Sequence, residues 1–245
     1  MKKVRSFLAL LTVSLVALWA PAAYSQQGHN VYSTRLDTGL DSRLMVQAPK
    51  PDSIQVVPMA QGHALKVTIN RSDDYSRVAN GVPRAEVSFG TVCRFARGTE
   101  YLIRWSTFIA PEFEFDNQQP EGLAQIHEGA RAGSPPFGLN LNGSNYEVRV
   151  QGKQGNTVIG DAAADKGKWV QWSLRYKPDE RGPGALTELY KDNKIVFNGN
   201  GTANAWPNDD SSYFKMGIYK WWWQSRPSNV TIRTIYFGDV SIAAR

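Results

Sequence analysis

The chain is poor in cysteine and histidine, and this shortage limits the sites that it can build. Cys93 is the only cysteine among 245 residues, so an internal disulfide is excluded, and no catalytic cysteine motif surrounds it. We expect this thiol to pack as a small buried apolar group. The three histidines are far apart and lack metal-ligand spacing, so we expect no cofactor. A structural calcium stays open as an alternative, with loop carboxylates as ligands at Asp73 and Asp74 or at Asp209 and Asp210.

Long apolar runs are missing after the N-terminus. Residues 1–25 begin with three basic residues, continue with an apolar stretch and end in Ala23-Tyr24-Ser25. This pattern predicts a secretory signal peptide that is cut before Gln26. Nothing later in the chain approaches the length needed to cross a bilayer. We therefore predict an exported protein, periplasmic or secreted, in which residues 26–245 form one domain without a membrane partner.

A strong net charge is missing as well. The formal net charge is +6, and the leader contributes three positive and no negative charges, so the mature chain carries +3. The remaining basic residues are scattered, and neither a zinc pattern nor a helix-turn-helix pattern occurs, which argues against nucleic acid as a partner. A weak positive balance agrees with an acidic partner without requiring one. We expect the mature protein to be a monomer.

Helical periodicity is missing, whereas short alternating or β-branched segments recur between turn signals. The predicted strands are residues 64–70, 84–89, 100–109, 122–127, 137–141, 146–151, 169–176, 186–191, 194–197, 214–219 and 230–242. Residues 26–60 are predicted to form a polar lead-in with one edge strand at 43–47. Asp192-Asn193 and Asn142-Gly143 predict two-residue hairpin turns. The pattern is typical of an all-β, jelly-roll β-sandwich of the concanavalin-like type, with two antiparallel sheets and a concave groove.

Three of the predicted strands are polar on one face and apolar on the other, because successive side chains of a strand point to opposite faces. The polar rows consist of Arg84 and Glu86, of Gln125 and His127, and of Tyr213, Lys215, Gly217 and Tyr219. At about 3.3 Å per residue the third row extends roughly 20 Å, so its members cannot all serve one reacting atom. Together the rows predict the floor of a groove that holds a polymer.

The motifs Arg-x-Glu, Gln-Ile-His and Tyr-Phe-Lys-x-Gly-x-Tyr, in this order, resemble the three signature stretches of alginate lyase family seven. Gly167-Lys168-Trp169 and the Lys-x-Gly-Ile-Tyr form of the last motif are similar to the heparin-lyase-I-like and glucuronan lyase group. The resemblance covers about residues 64–242. It implies a jelly roll and the cleavage of a polyuronate such as alginate, glucuronan or a heparin-like glycan by β-elimination. Met216 and Lys220 depart from the alginate lyase pattern.

The resemblance also implies roles for single residues. Arg84 and Gln125 match the groups that bind the substrate carboxylate, and His127 and Tyr219 match those that transfer protons. Removing the C5 proton of a uronate builds a second negative charge, which hydrogen bonds from Arg84 and Gln125 offset. We expect the cations Arg84 and Lys215 to lower the pKa of Tyr219, and Glu86 to hold Arg84 in place. The predicted substrate-binding residues are Glu86, Lys215, Tyr213, Arg149 and Tyr146, and Asn140 is a weaker candidate.

Two other functions stay open. Glu112, Glu114 and Asp116 would share one face if residues 112–116 formed a strand, and a carboxylate pair is what a glycoside hydrolase needs. A non-catalytic carbohydrate-binding β-sandwich has the same fold but needs no proton-transfer group. His63, at the start of a strand, is a reserve candidate for proton transfer. Residues 221–223 are three tryptophans, which fit core packing and sugar stacking equally well.

Overall fold

The computed structural model describes residues 28–129 and 133–245. Its strands are β1 His29–Ser33, β2 Met45–Gln47, β3 Ile54–Pro58, β4 His63–Asn70, β5 Arg84–Ser88, β6 Tyr101–Phe108, β7 Glu121–His127, β8 Phe137–Asn142, β9 Asn145–Val150, β10 Thr157–Asp161, β11 Trp169–Lys177, β12 Leu186–Lys191, β13 Lys194–Asn198, β14 Tyr213–Tyr219, β15 Ile232–Phe237 and β16 Ser241–Ala244. Three short 3-10 helices cover Leu36–Thr38, Pro51–Ser53 and Ala163–Asp165. The predicted signal peptide lies outside the described residues. Within the described part, no helix is long and apolar enough to cross a membrane.

The strands form two antiparallel sheets that pack face to face. Sheet A has the order β13-β12-β11-β6-β15-β4-β3, with β16 paired to β6 and β1 paired to β16. Sheet B has the order β10-β9-β8-β7-β14-β5-β2. Their inner faces meet in a core that includes Trp105 and Phe214, with ring centroids 5.2 Å apart. Burial of each large apolar side chain contributes about 1.5–3 kcal/mol, so this core stabilises the sandwich. The predicted all-β jelly-roll sandwich is confirmed.

The strand predictions fail where the chain changes partner. Residues 230–242 were predicted as one strand, but β15 and β16 are separate and both pair with β6. A Cβ on Gly238 would lie 2.2 Å from Oγ of Ser106, so the chain passes close to β6 at the point between β15 and β16 where pairing with β6 is interrupted. The lead-in contains three strands, β1, β2 and β3, rather than one, and β10 was also missed. The edge strand predicted at 43–47 is confirmed as β2, which pairs with β5.

Turn chemistry explains two hairpins. Asp192 and Asn193 have φ of +49° and +64°, as the predicted two-residue turn between β12 and β13 requires. The second turn prediction is shifted by one residue, because Asn142 and Asn145 pair and Gly143-Ser144 forms the turn. Gly143 supplies the positive φ, +57°. Cys93 is buried, as predicted.

Cross-strand register brings the three predicted polar rows side by side on the outer face of sheet B. On one side of β14, Tyr213 pairs with His127 and Lys215 with Gln125. On the other side, Gly217 pairs with Glu86 and Tyr219 with Arg84. Paired residues point to the same face of a sheet. Because β5, β14 and β7 are neighbours, their polar faces form one continuous floor.

Candidate active site

Glu86 is the centre of this floor and is almost fully buried. Its carboxylate accepts a hydrogen bond from Nε2 of Gln125 and one of 2.6 Å from Nζ of Lys215. Nη1 of Arg84 lies 3.3 Å from the same carboxylate. Burial alone would lower the pKa of Lys215, and the net shift is downward although Glu86 opposes it. One carboxylate on β5 thus fixes side chains of β5, β14 and β7.

The cluster carries a positive excess, because two cations face one carboxylate. Lys215 is 1% exposed and also donates to Oε1 of Gln47 at 2.7 Å. Arg84 donates to Oδ1 of Asn80 at 2.7 Å and to the carbonyl of Val82 at 3.3 Å. Gln47 and Asn80 were not predicted as site residues. Gln47 lies in the lead-in and Asn80 in a loop, and neither belongs to a motif. Both hold a cation of the floor in place.

Tyr219 packs on Arg84, with the guanidinium carbon 4.1 Å from the ring centroid. Burial raises the pKa of the Tyr219 phenol above its ordinary value, and the opposing effect of Arg84 is smaller. The expectation that nearby cations lower this pKa is therefore wrong in its net direction, because desolvation of the phenolate outweighs their attraction. Tyr219 is a protonated phenol at neutral pH. As such it is suited to donate a proton.

Gly217 allows β14 to approach β5 closely. Its φ is +142°, and a Cβ there would lie 2.2 Å from the carbonyl oxygen of Ala85. The space beside Gly217 is thus filled by the neighbouring backbone rather than open to a ligand. The register between β14 and β7 also shifts between Met216 and Tyr219. This irregularity sets the position of Tyr219 relative to the rest of the floor.

His127 stands at the other end of the floor and is partly exposed. Its ring stacks on that of Tyr213, with centroids 5.2 Å apart. Its Nδ1 lies 2.7 Å from the carbonyl oxygen of Glu128. A carbonyl only accepts, so in the neutral imidazole this contact places the proton on Nδ1 and the lone pair on Nε2. His127 is thereby arranged as a proton acceptor.

A second buried ionic network anchors the chain directly after Tyr219. Nζ of Lys220 lies 2.7 Å from Asp116 and 3.7 Å from Glu121, and all three side chains are buried. Arg233 of sheet A binds Glu121 from below. The backbone N–H of Lys220 donates to the carbonyl of Pro83 at 2.9 Å. The network ties the end of β14 to the starts of β5 and β7.

A groove of about 670 Å³ crosses the floor from β14 to β9. Its lining includes Gln125, Gly138, Asn140, Arg149, Tyr219, Trp221 and Trp222. His127 and Tyr213 lie beside this volume rather than in it. Trp223 is fully buried in the core, whereas Trp222 is 38% exposed. The three tryptophans therefore divide between core packing and the groove wall.

Several predicted substrate-binding residues lie elsewhere than expected. Tyr146 faces the core, is fully buried and packs against Trp172 with ring centroids 5.1 Å apart, so its prediction is wrong. It pairs with Leu141, and this register turns it away from the groove. Lys215 and Glu86 belong to the floor, where they are 1% and 2% exposed and bind each other. His63 lies on β4 of sheet A and cannot reach the groove.

The carboxylates proposed for hydrolysis do not form a pair at the groove. Residues 112–116 are not a strand. Glu112 and Glu114 are exposed and line a different cavity, beside β15. Asp116 is buried, and its pKa is lowered because Lys220 and Ser228 bind its carboxylate strongly enough to outweigh burial. A carboxylate held ionised in this way is a poor general acid.

Two of the four candidate calcium ligands, Asp73 and Asp209, are engaged by protein donors. Asp73 binds Lys50 and accepts from the backbone N–H of Asn70 at 3.0 Å. Asp209 accepts from the backbone N–H of Gly129 at 3.0 Å. Among the described residues, no three histidine, cysteine or acidic side chains are grouped as a metal site would need.

Comparison with known proteins agrees with this fold. A family model described as polysaccharide lyase matches residues 27–241. A search of curated protein sequences found no match. Among solved structures, the endo-beta-1,4-glucuronan lyase from the fungus Trichoderma reesei superimposes with a TM-score of 0.60 at 17% identity, covering 88% of this chain and 92% of that one.

Two alginate lyase structures are also similar. Family 7 alginate lyase A1-II', in complex with the substrate GGMG, gives a TM-score of 0.62 at 12% identity over 85% of this chain and 95% of that one. The marine alginate lyase AlyA1 from Zobellia galactanivorans gives 0.54 at 12% identity, covering 80% and 82%. At such low identities the superpositions establish a shared jelly-roll fold.

Proposed function

The chain belongs to the polysaccharide lyase family, and from this premise we propose that it cleaves a linear, uronate-containing glycan by β-elimination. The observation that carries the proposal is the floor of sheet B, where buried, positively biased groups lie between a proton acceptor and a proton donor. The solved structures with this fold include lyases of glucuronan and alginate, which are both polyuronates. An acidic polysaccharide is the substrate class that this floor suits.

Arg84 and Gln125 neutralise the carboxylate of the sugar that reacts. Glu86 fixes both through direct hydrogen bonds or ion pairing, so they need little reorganisation as charge develops on the substrate. The triad of Arg84, Lys215 and Glu86 is formally +1, and the next buried carboxylate, that of Glu128, lies beside His127 at the far end of the floor. Placed under a substrate carboxylate, this charge lowers the cost of forming the enolate-like intermediate, as hydrogen bonds to a charged group do.

His127 takes the C5 proton through Nε2, and Tyr219 gives its proton to the departing glycosidic oxygen. The electrons of the C5–H bond form the C4–C5 double bond while the C4–O bond breaks, so no water enters the products. His127 and Gly122, the partner of Tyr219, are five positions apart along β7, which is about 16 Å. Gln125 lies between them, so the reacting sugar is placed above Gln125, with His127 on one side and Tyr219 on the other.

Trp221 and Trp222 provide aromatic surface at the β14 end of the groove, where a neighbouring sugar ring can stack. The guanidinium carbon of Arg226 lies 3.7 Å from the ring centroid of Trp222, and this contact helps to fix the orientation of the indole ring. We extend the proposal to the predicted context of the enzyme, an exported monomer that meets its polysaccharide outside the cytoplasm.

The test is the ultraviolet absorbance of the new C4–C5 double bond, followed with alginate, glucuronan and heparin-type polymers separately. Wild type is expected to raise the absorbance with one polymer, and Tyr219→Phe to abolish the rise. Tyr236→Phe, on the outer face of sheet A, is the matched control and should retain activity. New reducing ends without absorbance would point to hydrolysis, and glycan binding without either signal would point to a carbohydrate-binding protein.

A further inference from the structure

The groove contains a cation that the chemistry of bond cleavage does not use. Arg149 on β9 is half-buried and lines the groove. It is the one cationic side chain among the described residues that line this volume. Its Nη1 donates to the carbonyl of Pro135 at 2.6 Å, which fixes the guanidinium in place. Among the described residues, its other N–H groups have no hydrogen-bond acceptor.

Register places Arg149 in line with the floor of the active site. Gln125 pairs with Gly138, and Gly138 pairs with Arg149, so the three residues form one row across β7, β8 and β9. Strands in a sheet are about 4.8 Å apart, so Gln125 and Arg149 are roughly 10 Å apart at their Cα atoms. The middle residue has no side chain. A Cβ on Gly138 would meet only the amide of Asn140, at 3.5 Å, so the row is open between its two ends.

The polar groups around Arg149 suit a sugar. Glu147 lies on the same face of β9, but Asn142 and Asn156 each donate an amide hydrogen to its carboxylate, at 2.9 Å and 2.8 Å. This leaves the amide carbonyls of both asparagines as acceptors for sugar hydroxyls. Glu147 is satisfied and only 7% exposed, so among the described residues Arg149 presents the free charge at this end of the groove.

We infer that Arg149 is a second carboxylate-binding site, which binds the uronate two units away from the sugar held by Arg84 and Gln125. In an extended linear pyranose polymer alternate rings present their carboxylates to the same side, and two units have about the length of the row. This inference rests on the proposed function, because it assumes that a polyuronate lies across sheet B. It makes the enzyme selective for runs of uronate rather than for single uronates among neutral sugars.

The experiment compares Arg149→Gln and Arg149→Lys with Arg104→Gln, a control that removes an exposed arginine on sheet A. The value of kcat/KM is measured for oligouronates of increasing length. For wild type, kcat/KM should rise about tenfold or more at the oligomer length that reaches Arg149, because a hydrogen bond to a charged group contributes about that much binding. Arg149→Gln should lose this gain while the activity on shorter oligomers stays within twofold. An equal loss at every length, or no loss, would overturn the inference.

Binding separates this inference from the proposed function. In the Tyr219→Phe background, Arg149→Gln should weaken binding of a long oligouronate about tenfold but leave binding of its carboxyl-reduced counterpart unchanged. If Arg149→Gln weakens binding in this selective way but wild type does not cleave the polymer, the lyase proposal is refuted and the second carboxylate-binding site is supported. Turnover with no selective effect of Arg149→Gln on the acidic ligand would refute the second site and keep the lyase.

Discussion

Replacement of Lys215 by methionine tests whether the buried floor depends on its central ion pair. Nζ of Lys215 lies 2.6 Å from Glu86, and both side chains are almost fully buried. Removing one partner leaves the other charge without its closest counter-ion, which costs about 3–5 kcal/mol of unfolding free energy in buried pairs. For a domain of this size the melting temperature should fall by about 6–20 °C.

A double-mutant cycle isolates the pair. Glu86→Gln leaves Arg84 and Lys215 as neighbouring unpaired cations, so it should cost a similar amount. In the double variant Glu86→Gln with Lys215→Met, no charge of the pair remains, and the total loss should be about 2–3 kcal/mol smaller than the sum of the single losses. The assay is guanidinium denaturation followed by tryptophan fluorescence, with an unchanged slope in denaturant as a condition. Additive losses, or a loss below about 1 kcal/mol for Lys215→Met, would refute the reasoning.

Three further outcomes are expected. Burial raises the pKa of Tyr219, so the phenol keeps its proton beyond the pH at which a free tyrosine loses it. In a pH–rate profile, kcat should therefore not fall on the alkaline side below about pH 10. A fall near neutral pH would contradict the role of Tyr219 as the acid. Trp222→Ala should raise KM about two- to tenfold with little change in stability, whereas Trp223→Ala should cost about 3–5 kcal/mol in a denaturation curve; a stable Trp223→Ala would contradict its place in the core. Burial raises the pKa of Cys93 to about 11, so about one thousandth of the thiol is ionised at pH 8, and rapid alkylation of the native protein would contradict its burial.

The sequence predicts the sandwich and most of its strands well, because alternation of apolar and polar residues depends only on which face is buried. It fails at β1, β3 and β10, which lie at or near sheet edges. Edge strands lack the clear apolar pattern of central ones, since they bury less of their surface. The break between β15 and β16 depends on the close approach of Gly238 to β6, which strand periodicity does not report.

The site is predictable as far as its residues share short motifs. Alternation places Arg84, Gln125, His127 and Tyr219 on one floor, and the register of β5, β14 and β7 brings those strands together. How deeply each side chain of the floor is buried cannot be predicted from alternation. The burial of Lys215 and the inward face of Tyr146 depend on register and packing across strands that are distant in sequence.

The pKa of Tyr219 shows the same limit. The motif correctly supplies Arg84, which lowers this pKa as predicted, but Glu86 of the same motif raises it. Burial of the phenol outweighs Arg84 and decides the net shift, and burial depends on the whole fold.

The most direct test of the central claim, cleavage by elimination, is to digest the preferred polyuronate in water labelled with heavy oxygen and to weigh the products by mass spectrometry. Elimination takes up no water, so the account predicts unsaturated products that are lighter than hydrolysis products by one water molecule and carry no label from bond cleavage. Saturated products with one labelled oxygen per cleaved bond, on the new reducing end, would show hydrolysis and contradict the account.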